Sequence, residues 1–146
     1  MYTHILVSTD GSELAGKGVS HGLALARALG CKATVITVTQ PFPIIYGREW
    51  QPTGEAAKSF RDENQRAAEE VLTPVRAQGQ ELGISVETLH VPEKSAANGI
   101  LEAAKDLGCD LIVMSSHGRT GISKVLLGSQ ANKVVAHSSI PVLIVR

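Results

Sequence analysis

Short apolar runs alternate with longer stretches of helical periodicity along the whole chain. Residues 5–8 (ILVS), 33–38 (ATVITV), 85–91 (SVETLHV), 111–115 (LIVMS) and 141–145 (PVLIV) are short and rich in β-branched or aliphatic side chains. Runs of this length and composition predict buried strands. Between them, residues 12–29, about 55–82, 95–107 and about 129–137 predict helices. In the first, Ala15, Val19, Gly22, Ala26 and Leu29 recur at helical spacing, and Ser12 and Ser95 stand where N-caps belong. Pro74 falls inside the long second helix, where the missing amide is expected to kink or divide it.

One local motif recurs. ALGCKATVITV, ELGISVETLHV and DLGCDLIVMSS each close a helix on Leu-Gly and then open a strand. Glycine just past the last turn adopts the left-handed conformation that stops a helix. Strands alternating with helices build a parallel sheet through right-handed crossovers, so the expected fold is a doubly wound α/β sandwich. No linker or low-complexity segment divides residues 1–146, which reads as one domain. The stretch TQPFPIIYGREWQPTG, residues 39–54, breaks the rhythm and reads as a loop. It holds Phe42, Tyr46 and Trp50, which either form a lid or partner surface or pack on the protein's own helices.

Composition narrows the classes. Charged residues are 19% of the 146 and the formal net charge is zero, which argues against a nucleic-acid binder working through bulk positive charge. No apolar run approaches the ~20 residues that span a bilayer. The opening MYTHILVSTD lacks the charged leader and long apolar region of a signal peptide. Cys31 and Cys109 each follow Leu-Gly and open an apolar run, so they read as buried thiols of a reducing compartment, the cytoplasm. All acidic residues lie at or before Asp110, whereas Arg119, Lys124, Lys133 and Arg146 follow it. That acid-free stretch suits an anion, or is simply solvated.

Ligands of open α/β sheets bind beyond the carboxyl ends of the strands, where the strand order reverses. With the order 3-2-1-4-5 the crevice opens between strands one and four, and Asp10 and Gly118 face each other across it. Gly118 and Gly121 let the backbone turn and present amides to an oxyanion. Gly128 and Ser129 precede the last helix, whose N-terminus favours negative charge. The same residues also suit a plain turn and a plain serine cap. No G-x-x-x-x-G-K-[ST], G-x-G-x-x-G or G-x-S-x-G is present. The five histidines, His4, His21, His90, His117 and His137, lack metal-ligand spacing. Asp10 suits a ribose, a base or a metal-bound water, and equally a cap on the next helix. No paired general acid and base stands out.

The segment from Met114 to Ser129, with ILVSTDGSELA at the start and HSSIPVLIVR at the end, resembles the universal stress protein family over essentially the full chain. Nucleotide-binding members carry G-x-x-G-x(9)-G-[ST]. Ser115, Gly118, Gly128 and Ser129 occupy its four positions with nine residues between Gly118 and Gly128. The resemblance implies a five-stranded parallel sheet of order 3-2-1-4-5 with helices on both faces, of the adenine nucleotide alpha hydrolase type. It also implies a site for ATP, AMP or a related adenine nucleotide, with or without Mg2+. Thr9 and Asp10 would border the base and ribose, and the backbone of Val38 would read the adenine edge. Met114 and Ser115 would line the ribose, while Gly118, Gly128, Ser129 and Gln130 would hold phosphates. Ser115 departs from the motif's glycine; its Cβ would be costly there if φ must be positive.

The expected role is a stress-response regulator, not a true ATPase. An interaction protein with an empty crevice, or a weak hydrolase or phosphotransferase built on Asp10 and a metal, are the competing classes. The strand from Pro141 to Arg146 should lie at the sheet edge. Val142, Leu143, Ile144 and Val145 carry no acid or lysine guard, which invites antiparallel pairing into a homodimer. The resemblance implies the same arrangement.

Overall fold

The computed structural model describes residues 1–42, 54–118 and 126–146. Five strands, β1 (His4–Ser8), β2 (Lys32–Val38), β3 (Val86–Val91), β4 (Leu111–Ser115) and β5 (Val142–Val145), form one sheet. Its order is β3-β2-β1-β4-β5, and every described pairing is parallel. Helices α1 (Glu13–Leu29), α2 (Glu55–Leu82), α3 (Ala96–Asp106) and α4 (Ser129–His137) alternate with the strands. The topology expected from the sequence is the one observed.

Local chemistry explains the element ends. Ser12 and Ser95 cap α1 and α3, accepting from the amides of Ala15 at 3.2 Å and Asn98 at 3.3 Å. The three Leu-Gly stops are real: Gly30, Gly83 and Gly108 have φ of 63°, 68° and 66°. After each glycine, the next residue donates to the carbonyl five positions back, Cys31 to Ala26, Ile84 to Gly79 and Cys109 to Ala104. That bond closes the helix and aims the chain back at the sheet.

The sheet separates two core layers. Ile5, Val7, Val35, Leu111 and Val113 pack against Val19 and Leu23 of α1 and Leu72 and Val75 of α2. Leu6, Ile36, Ile112 and Met114 face the other way, onto Ala97, Ile100 and Ala104 of α3 and Ala131 and Val134 of α4. Alternate residues of each central strand thus serve opposite layers, as a strand buried on both faces requires.

Pro74 does not divide α2, which runs unbroken for 28 residues. Its ring and Glu70, whose carbonyl loses a donor, lie on the exposed side, while Leu72 and Val75 stay buried on the sheet. Packing and water together override the local penalty. Cys109 is buried and Cys31 half-buried, and both are free thiols. Burial pushes the Cys109 thiol up to about 11 and raises that of Cys31, so both stay protonated at neutral pH. Phe42 meets Phe60 of α2 edge-on at 4.9 Å, whereas Tyr46 and Trp50 lie outside the described residues. Among the described residues, no helix is long and apolar enough to cross a membrane. β5 is a sheet edge, with its four residues half-buried.

Candidate functional site

β1 and β4 are central neighbours, and the chain leaves them toward opposite edges of the sheet. Their exits therefore diverge and leave a crevice at the carboxyl end. On the β1 side, Gly11 turns the chain with φ 80°. Its amide donates to Thr9 Oγ1 at 3.2 Å, and the Ser12 amide donates to Asp10 Oδ1 at 2.9 Å. Asp10 is thus not the cap of α1; Ser12 is, and Asp10 instead shapes the turn before it. Asp10 Oδ2 points across the crevice, since a Cβ built on Gly118 would stand 2.6 Å from it. The two residues do face each other, and only a glycine at 118 allows so close an approach.

On the β4 side, Ser115 ends the strand. Glu93 is the sole non-glycine with positive φ among the described residues, so the strain expected for a side chain at 115 is absent. Ser115 is extended, and its hydroxyl donates to the His117 carbonyl at 2.8 Å. The Ser116 carbonyl accepts from the Gly128 amide at 2.8 Å, which draws the start of α4 onto the exit of β4. Gly128, not Ser129, is the N-cap, and it has no side chain to accept from the helix amides. Ser129 and Gln130 begin the helix proper, with their amides in its first turn. The Gln130 side chain turns elsewhere: Oε1 accepts from the Ala97 amide of α3 at 2.9 Å.

Val38 ends β2, two residues beyond the last β1 pairing of Ser8 with Ile36. Ile36 accepts from the Thr9 amide on the β1 side, and Thr39 donates to Val91 on the β3 side. Alternate residues of a parallel ladder face opposite neighbours, so the Val38 amide and carbonyl point to the β1 side, where β1 has already turned away. Met114 and Thr9 are buried at the crevice floor.

The nine nominated residues therefore gather at one end of the sheet. Arg119, Gly121 and Lys124 lie outside the described residues. Among the described residues, no three His, Cys, Asp or Glu side chains are grouped to hold a metal ion. A groove of about 460 Å³ opens between α1 and α2, lined by Gly16, Val71, Pro74 and Gln78, and it shares only Thr9 with the nominated set. It is a neighbouring depression on the far side of the β1 exit. Sequence reasoning missed Gly11, readable as the second half of an Asp-Gly turn, and the Ser116 carbonyl, for which no sequence signal exists.

The sequence pattern of the universal stress protein family matches residues 1–146. The chain belongs to the universal stress protein family. Universal stress protein MJ0531 of Methanocaldococcus jannaschii is 31% identical over 146 residues, covering all of this chain and 83% of that protein. Among solved structures, protein MJ0577 superposes with a TM-score of 0.81 at 25% identity, over 99% of this chain and 96% of that one; it too comes from Methanocaldococcus jannaschii. A universal stress protein solved in complex with cAMP gives a TM-score of 0.72 at 26% identity, over 99% and 97%. The family's sheet order and crossovers are those of this chain.

Proposed function

We propose that this universal stress protein binds an adenine nucleotide in the crevice between the β1 and β4 exits. The carrying observation is the Gly128 to Ser116 main-chain bond, which sets an α4 N-terminus without a capping side chain at the sheet's switch point. A phosphate lies against the amides of Ser129 and Gln130, with Gly118 and Gly128 leaving room for it. Asp10 and Thr9 border the ribose, Met114 and Ser115 form its floor, and the backbone of Val38 meets the adenine edge. The solved relative with cAMP supports this ligand class. The role is regulatory: the first-turn amides of α4 suit a phosphate, and Asp10, the one acid nominated, is already bonded to the Ser12 amide. The regulator is a homodimer joined through β5, whose unguarded edge supports antiparallel pairing.

Mass spectrometry of ligand released from gently purified protein should yield ATP, AMP or a cyclic adenylate. Empty protein with no affinity for any of these in calorimetry would leave an interaction protein instead. Turnover of ATP well above background, abolished by Asp10→Ala, would make it an enzyme. Pro141 and Val145 accept from β4, so the Ile144 amide points to the free edge. Ile144→Pro removes that outward donor and should yield monomer or insoluble protein; a monomeric native chain at micromolar concentration would refute the dimer.

A further inference from the structure

The first turn of α3 touches both halves of the crevice. At the phosphate end, the Ala97 amide is one of the four that a helix N-terminus leaves unpaired. Ser95 serves Asn98, and Ala97, itself buried, is served from another helix by Gln130 Oε1 at 2.9 Å. At the base end, α3 lies directly on Val38. A Cβ added to Gly99 would meet Val38 Cγ2 at 2.7 Å and Cγ1 at 2.8 Å. The Lys94 amide, just before the helix, donates to the Thr39 carbonyl at 3.2 Å, one residue past Val38. Gln130 thus ties α4's first turn to an element that cannot shift without moving Val38.

We propose that Gln130 is a positioning residue which, through the first turn of α3, sets the spacing between the phosphate-holding turn of α4 and the base-reading backbone of Val38. This rests on the nucleotide reading above and deepens it. A ligand that spans both halves, such as AMP, feels that spacing, whereas adenosine engages the base half alone. The Gln130 side chain itself is a brace, not a phosphate donor.

The test is calorimetry of AMP and adenosine on the full chain. Gln130→Met removes the acceptor and should weaken AMP about tenfold, the worth of one hydrogen bond to a buried amide, with adenosine little changed. Gln130→Glu keeps an acceptor for Ala97 and should hold AMP within about threefold, the scale of one partly exposed charge interaction. If the side-chain amide gripped the phosphate, Gln130→Glu would instead lose AMP as badly as Gln130→Met. That result, or a Gln130→Met variant that binds AMP like the native chain, overturns the inference while the nucleotide reading stands. A native chain silent to both ligands removes the nucleotide reading and this inference with it. Should Gln130→Met not fold, Gln130→Ala serves in the same comparison.

Discussion

The two ends of the sheet are built on opposite rules. At the amino end, side chains close the structure on itself. Asp110 accepts from the Thr3 amide at 2.8 Å, the Thr3 hydroxyl at 2.9 Å and the His4 amide at 3.1 Å. His4 Nε2 meets Thr34 Oγ1 at 2.8 Å below it. The left-handed glycines 30, 83 and 108 lie there too, each ending a helix. At the carboxyl end, bulk is withheld. Glycines stand at 11, 118 and 128, α4 begins without a capping side chain, and the strand exits diverge. At the amino end a carboxylate ties the chain entry to the sheet, whereas at the carboxyl end the first amides of α4 have no capping side chain, the arrangement that suits an anion.

Substitutions should separate the two ends. The largest effect is expected from Gly128→Val, which brings a Cβ to 3.2 Å from the Ser116 carbonyl and would fill the proposed phosphate site. Nucleotide affinity should fall beyond detection in calorimetry, while the chain still unfolds cooperatively at a cost of about 1–3 kcal/mol from crowding the Ser116 carbonyl. A variant that still binds would break the comparison, since the open end would then not be where ligand sits. Gly118→Ala is the milder form. Its methyl would stand 2.6 Å from Asp10 Oδ2 and must push the carboxylate aside. About a tenfold loss of affinity with unchanged melting is expected, as for one displaced polar contact.

At the amino end the pattern should invert. Gly83→Ala places a Cβ in open space but at φ 68°, so its cost is conformational alone, about 1–2 kcal/mol, with ligand affinity untouched. A chemical-denaturation midpoint equal to the native one would refute it. Asp110→Asn sharpens the contrast through pH. Hydrogen bonds from the Thr3 and His4 amides hold the Asp110 carboxyl below its ordinary range. The folded value is therefore depressed, and the clamp stabilises fully above the unfolded value, near ~4. That contribution is lost as pH falls from there through the folded value. Melting temperature measured between neutral pH and pH 3 should drop less steeply in Asp110→Asn than in the native chain; parallel curves would deny Asp110 the role.

The sequence by itself determined the elements and their order, because the signals are local. A Leu-Gly stop needs only the residues of its own last turn, and an aliphatic run of five reports burial on both faces. Gly118, Gly128 and Asp10 were legible because glycine at a strand exit and an acid after an apolar run keep their meaning wherever the fold puts them. Tertiary structure decided whatever depends on distant partners. Pro74 sits in an unbroken helix because its neighbours are held on the sheet. Ser115 is unstrained because β4 continues extended through it. Gln130 serves Ala97, 33 positions away, and Asp110 serves Thr3, 107 away. No periodicity encodes such pairs, because a hydrogen bond is directional and short, and only the folded chain brings its two groups within 3 Å.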